Sequence, residues 1–239
     1  MKKFIPFLML AALAASCSIY HPQAVDIPLI EQPNETRIDA SAGLSFWLLP
    51  DAVSLNLTAS HGFNNWLSGQ VHANYGGKDN YYLQAAPGAY LHVGEKGILE
   101  GYVGLGYGGA GYSSQNDTSA SYYTYKGNFL LPFAQVNFGW RHLGPFEIGF
   151  GLKSGVLQPK YEYRRFKTDG TEDPDRFRSY NTANLLLEPQ LQMRLGGEHV
   201  MFTLRLGYAW LSNMLNENSE SNNFTYDFFT LSSGLNFRF

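Results

Sequence analysis

From residue 36 onward, apolar and polar positions alternate in runs that break at clusters of Gly, Pro, Asn and Asp. In the first run Ile38, Ala40, Ala42, Leu44, Phe46 and Leu48 have one parity, and Arg37, Asp39, Ser41, Gly43 and Ser45 have the other. Successive side chains of a strand point to opposite faces, so each run reads as a strand with one apolar and one polar face. Further runs cover 53–60, 67–75, 81–93, 98–112, 130–140, 146–152, 183–195, 200–210 and 231–239. In the seventh, Phe146, Ile148, Phe150 and Leu152 alternate with Glu147, Gly149, Gly151 and Lys153. In the last, Leu231, Ser233, Leu235, Phe237 and Phe239 alternate with Ser232, Gly234, Asn236 and Arg238. The pattern predicts an all-β, antiparallel chain of about ten strands, with eight or twelve as neighbouring counts.

The connections carry a second signal. Gly94-Glu95-Lys96-Gly97, His142-Leu143-Gly144-Pro145 and Gly196-Gly197-Glu198-His199 are short, whereas 113–121, 158–180 and 211–223 are long. Counted back from the terminal strand, short and long connections alternate. Short turns at one end and long loops at the other are the asymmetry of an up-and-down transmembrane β-barrel. Most runs also reach the roughly 9–11 residues that a tilted strand needs to cross a bilayer. A soluble β-barrel predicts no such asymmetry. The closing strand, with Leu235, Phe237 and Phe239 on its apolar face, resembles the terminal strand of bacterial outer-membrane barrels. In that class it is the assembly signal read by the barrel assembly machinery.

The N-terminus reads differently. Met1-Lys2-Lys3 followed by the apolar 4–15 is an export signal, too short for a membrane span. Leu13-Ala14-Ala15-Ser16-Cys17 resembles a bacterial lipoprotein signal, which implies a signal peptide over 1–16 and lipidation at Cys17. The stretch 17–35 holds Pro22, Pro28 and Pro33 and no period, and is expected to be a lipid-anchored, extended periplasmic linker. Its Val25-Asp26-Ile27-Pro28-Leu29-Ile30 patch is a tether, or a contact for a partner or the barrel mouth. The barrel then spans 36–239, with both termini periplasmic. Cys17 is the single cysteine, so no internal disulfide forms.

Composition supports a membrane barrel. Charged residues are 15% of the chain, below the roughly 25% of soluble domains, while 16 Tyr and 17 Phe lift the aromatic share to 15%. A mean hydropathy of -0.23 argues against a helical membrane protein but suits strands that give only half their residues to lipid. Losing Lys2 and Lys3 with the leader deepens an already negative balance of 17 basic to 20 acidic residues, which offers no footprint for nucleic acid.

With the apolar faces toward lipid, Arg37, Asp39, Glu100, Glu147, Lys153, Glu188, Arg194, Arg205 and Arg238 face the lumen, with His72 nearby in the pattern. Desolvated charges persist when paired, so these residues predict a cross-strand ionic network in a narrow, plugged barrel. Gly104, Gly106, Gly108, Gly149 and Gly151 leave room along two strands, and support the alternative of a narrow passive pore for small solutes. The loop 158–180 sets Lys160, Arg164, Arg165 and Lys167 beside Tyr161, Tyr163 and Phe166, a cluster suited to lipopolysaccharide phosphates. Tyr122, Tyr123, Tyr125, Trp140 and Trp210 are candidates for interfacial aromatic belts.

No metal cluster, phosphate loop or nucleophile motif stands out, and neither a cofactor nor a catalytic residue is expected. Omptin-type proteases carry acidic pairs and a His-Asp couple at the outer rim. The rim candidates here, Asp79, Asp227 and His72, include no His-Asp neighbours. Pairing His72 with Glu188 as acid and base has no support in the spacing, and Ser60-His61 is a weak echo of barrel-type lipid A deacylases.

Three phrases resemble a group of Bacteroidota outer-membrane barrel lipoproteins. They are Tyr20-His21-Pro22 with Pro28-Leu29-Ile30, Leu131-Pro132-Phe133-Ala134-Gln135 leading to Phe146-Glu147-Ile148, and Leu187-Glu188-Pro189. The resemblance implies location and fold and transfers no catalytic residue. The expected role is structural: an accessory subunit of a larger outer-membrane complex, in contact with outer-membrane lipids, lipopolysaccharide and other outer-membrane proteins. An outer-membrane enzyme is the least favoured alternative.

Overall fold

The computed structural model describes residues 20–23, 25–46, 50–77, 80–114, 121–167, 170–213 and 226–239. The leader, Cys17 and Asp79 lie outside them. The chain forms β1 (Thr36–Phe46), β2 (Pro50–Gly62), β3 (Leu67–Gly77), β4 (Asn80–Val93), β5 (Gly97–Ser114), β6 (Ser121–Leu143), β7 (Phe146–Lys167), β8 (Arg178–Tyr180), β9 (Asn184–Gly196), β10 (Val200–Tyr208), β11 (Trp210–Asn213) and β12 (Phe229–Arg238). Every strand pairing is antiparallel, and most join sequence neighbours. β12 pairs with β1, β7 bypasses β8 to pair with β9, β11 folds onto β9 beyond the end of β10, and β10 pairs with β12. Those pairings close the sheet into a barrel. β10 and β11 are one stave interrupted at Ala209, and β8 is a flap on the edge of β7, which leaves ten staves.

The seam is tight. Arg37 stands opposite Arg238 and Phe46 opposite Phe229 in unbroken register, and Thr36 and Phe239 exchange both backbone hydrogen bonds at 3.0 and 2.9 Å. No strand edge remains there to recruit another chain. Leu235 and Phe239 of the terminal strand are exposed on the outer wall, with Phe237 half-buried beside them.

The barrel has a turn end and a loop end. Residues 63–66, 94–96, 144–145 and 197–199 connect strands at the turn end, where Gly94 and Gly144 adopt φ of +68° and +71° that a side chain would resist. The opposite end is taller than the spacing predicts. β5, β6 and β7 continue past the other staves, β6 pairing with β7 out to Ser121↔Lys167 and with β5 out to Tyr123↔Ser114, so much of 158–180 is strand, followed by a 3-10 turn (Pro174–Arg176) and β8. The spacing of the runs marks this stretch as a loop. Its alternation is simply that of a ribbon wetted on both faces.

The outer wall is apolar: Leu55, Val103, Val136, Phe150, Phe202 and Leu206 are among its exposed side chains. This inverted surface is what a hydrocarbon environment selects. Among the described residues no helix is long and apolar enough to cross a membrane.

Candidate functional site

The interior is where the chain departs most from expectation. Tyr20 to Glu35, expected as a linker outside the barrel, runs through the lumen from the loop end to the turn end. Tyr20, Val25, Leu29 and Ile30 are completely buried, and Ile27 nearly so. At the loop end the Tyr20 carbonyl accepts from the Asp227 amide at 3.1 Å, and its hydroxyl donates to Glu188 at 2.7 Å. At the turn end Glu31 meets His142 and Arg141, and Glu35 leads directly into β1. We call this segment the strap.

An extended chain in a barrel has no sheet partner for its backbone, and a buried amide without a partner is costly. Side chains of the wall supply the partners instead. Gln192 accepts from the Ile27 amide at 3.1 Å and donates to the Ile27 carbonyl at 2.7 Å. Glu188 accepts from the Gln23 amide, Gln190 donates to the Gln23 carbonyl and Gln70 donates to that of Asp26. Arg194 reaches the Ile27 and Pro28 carbonyls, Arg141 that of Leu29, and Glu100 accepts from the Ile30 amide at 2.7 Å. Leu29 takes a left-handed φ of 55°, unusual for a branched apolar residue, and the surrounding contacts hold it there.

The strap also brings two carboxylates to the cations of the wall. Asp26 Oδ1 bridges Arg194 and Arg205, each at 2.8 Å, and Arg205 also pairs with Asp39. Glu35 receives Arg37 at 3.0 Å and Arg141 at 2.9 Å. Glu147 is held by Arg37 in a bidentate pair at 2.8 and 2.9 Å, with Arg194 at 2.9 Å and Arg141 at 3.2 Å. Nearer the loop end Lys153 pairs with Glu188 at 3.1 Å and lies over the rings of Tyr82 and Phe133. Glu100 faces Asn137 and the strap rather than a cation. Arg238 takes no part in the described ion pairs: it is half-buried at the turn end, where its amide donates to the His199 carbonyl.

Sequence parity therefore located most of the charged wall and missed three members. Arg141 keeps the parity of Gln135, Asn137 and Gly139, but it follows Trp140, where the run had been ended. Asp26 and Glu35 lie in a stretch without period, so parity has nothing to say about them.

Above this network the lumen is closed by apolar groups. Tyr20 packs edge-on to Phe129, Tyr82 stacks on Phe129, and Leu131, Phe133, Leu157, Tyr161 and Leu186 complete the cluster. The inward glycines that suggested a pore make room for these groups. A Cβ at Gly104 would meet Phe133, at Gly106 Tyr82, at Gly108 Phe129, and at Gly149 or Gly151 Ile27 of the strap. Of the belt candidates, Tyr123 and Tyr125 lie among the ribbon's rings with Tyr163, and Tyr122 stacks on Phe166. Trp140 and Trp210 are exposed on the wall.

The basic cluster is divided. Lys160 and Arg164 have the outward parity of Phe150 and Leu152, and Arg165 and Lys167 the opposite one. Arg164 is engaged by Glu162 at 2.7 Å and Glu172 at 3.4 Å. The four cations do not form one anion cradle.

His72 and Glu188 do not meet: His72 Nδ1 contacts Thr58 at 2.9 Å, whereas Glu188 serves Tyr20, Gln23 and Lys153. A His-Asp neighbour pair does exist, through a residue in the strap. His21 Nδ1 lies 2.6 Å from Asp227 Oδ2 at the loop end. Its Nε2 is buried without a hydrogen-bond partner among the described residues, and the adjoining cavity of about 20 Å³ holds roughly one water. That geometry fastens the strap at the loop end. Among the described residues no cluster of His, Cys, Asp and Glu is arranged to hold a metal.

On the outer wall, small residues on neighbouring strands form a groove. Ala40 and Ala42 of β1 and Ala73 of β3 floor a hollow of about 690 Å³, walled by Leu55, Leu57, Leu83 and Leu235. A second hollow of about 400 Å³ adjoins along the same strands, lined by Ala59, Val71, Ala85 and Phe63.

Searches with family models and against curated proteins return no match. Among solved structures, the outer membrane protease OmpT from Escherichia coli is similar over 86% of this chain and 97% of its own, with a TM-score of 0.55 and 10% identity. A mutant of the TodX monoaromatic hydrocarbon channel covers 94% of this chain and 72% of its own, with a TM-score of 0.39 and 8% identity. The likeness to OmpT is one of fold: an antiparallel barrel of the outer-membrane kind.

Proposed function

We propose that this chain is a closed barrel of the bacterial outer membrane that works through its exterior, as an accessory subunit of a larger membrane assembly. One observation carries the reading. The lumen is occupied from end to end by the strap, its ion pairs and the aromatic cluster, so the outer wall and the loop end are the surfaces the molecule offers. The grooved wall of β12 and β1–β4 supports it, because a hydrophobic transmembrane segment of a partner fits a trough floored by alanines at hydrocarbon depth. Leu235, Phe237 and Phe239 serve barrel assembly in this reading, and Lys160 and Lys167 touch lipopolysaccharide phosphates only as separate charges.

The test has two arms. Reconstituted in planar bilayers, the full chain is expected to give no conductance steps; steady unitary currents would replace this reading with the passive pore. Purified in mild detergent from its own membrane, it is expected to bring a stoichiometric membrane partner, lost when Ala42 and Ala73 are changed to Trp. Recovery of the chain alone at native expression would refute the accessory role.

A further inference from the structure

The path of the strap decides on which side of the membrane the chain begins its course through the barrel. Tyr20 is fastened at the loop end, beside Asp227 and Phe129, and Glu35 lies at the turn end, where β1 starts. Fifteen peptide steps at about 3.3 Å reach roughly 50 Å, ample for a wall whose apolar band is about 25 Å tall. The contacts descend in order, from Glu188 through Gln192 and Glu100 to Arg141, so the segment traverses the lumen once and does not fold back.

We propose that the N-terminal arm lies on the outer, loop-bearing side of the membrane, so that an acyl group on Cys17 is seated in the outer leaflet. The reach of the chain requires it. Cys17 precedes Tyr20 by three residues, or at most about 11 Å of extended chain. That is less than half the height of the apolar band, and the lumen that leads back to the turn end is already filled. This replaces the periplasmic anchor expected from the sequence, which assumed that 17–35 hangs below the barrel. The leaflet assignment rests on the orientation in the reading above, turns periplasmic and loops external; the threading does not.

Two measurements on the full chain test it. The first places an epitope between Ile19 and Tyr20, a second in the ribbon tip at Gly170 and a third in the turn at Gly197, one per variant. On intact cells the arm epitope is expected to be labelled together with the tip epitope, and the turn epitope only after the outer membrane is permeabilised. An arm epitope that follows the turn epitope overturns the threading. A tip epitope hidden until permeabilisation would invert the barrel and overturn the leaflet assignment, leaving the co-labelling of arm and tip as the threading's own criterion.

The second measurement does not depend on insertions. A Cβ on Gly149 would lie 3.5 Å from the Ile27 Cβ, within the range for a disulfide. Ile27→Cys with Gly149→Cys is expected to cross-link in the folded, membrane-inserted protein and to change its mobility on a non-reducing gel, with neither single variant doing so. Failure to cross-link in a barrel that retains its heat-dependent gel shift would refute the strap's course.

Discussion

Asp26 shows how a residue without any pattern around it governs the interior. Its carboxylate faces two guanidinium groups that the wall positions from β9 and β10, and its backbone carbonyl is held by Gln70. Removing one partner of a buried pair is most costly where the charge left behind has no other partner. Arg194 keeps Glu147 and Arg205 keeps Asp39, so Asp26→Asn is expected to lower the unfolding free energy by about 1–3 kcal/mol, read from urea curves followed by tryptophan fluorescence in vesicles. Adding Arg205→Met should deepen the loss, because it also takes the cation from buried Asp39. Gln192→Ala strips the Ile27 amide of its described acceptor, and a loss of about 1–3 kcal/mol is expected in the same assay. Parity made the wall partners of Asp26 legible in the sequence, since Arg194 and Arg205 alternate with Met193, Leu195, Leu204 and Leu206. Asp26 itself was not legible: what recognises it is a set of side chains far away in the chain.

At the level of elements, alternation predicted the staves well because each separates lipid from lumen residue by residue. It failed where an element lacks two different surroundings. The strap is surrounded by protein on all sides, so nothing forces a period on it. The upper parts of β6 and β7 meet water on both faces, and read as a loop. Inward glycines were ambiguous for another reason: a missing side chain shows space, and only the partner strand shows what fills it. Gly106 is covered by the Tyr82 ring. Gly106→Val is expected to abolish the compact form that migrates fast before heating, and Tyr82→Ala in the same chain should restore some of it, a coupling measurable by a double-mutant cycle. The ribbon predicts its own behaviour under protease. Arg176 and Arg178 lie in its exposed flap, so trypsin should nick the chain there while the staves remain joined and resist urea as before.

For the whole molecule, the polar wall explains why the barrel keeps its strap. Gln70, Gln190, Gln192, Glu100 and Arg141 hydrogen-bond the strap's backbone, and Arg194 and Arg205 share Asp26. Deleting residues 20–33 takes these partners from buried groups and should therefore impair folding, seen as loss of a heat-dependent gel shift, and not simply open a channel. A deletion that folded normally and conducted would turn the strap into a removable plug. The closed seam between β1 and β12 adds a constraint on timing. A finished cylinder packed with aromatic rings offers no passage for the segment that crosses it. The arm has to be laid across the open sheet first, and the first and last strands zip together over it afterwards. Biogenesis of this protein is then a wrapping reaction, in which the order of events is written into the topology, and a chain that closes too early is trapped with its strap outside the barrel.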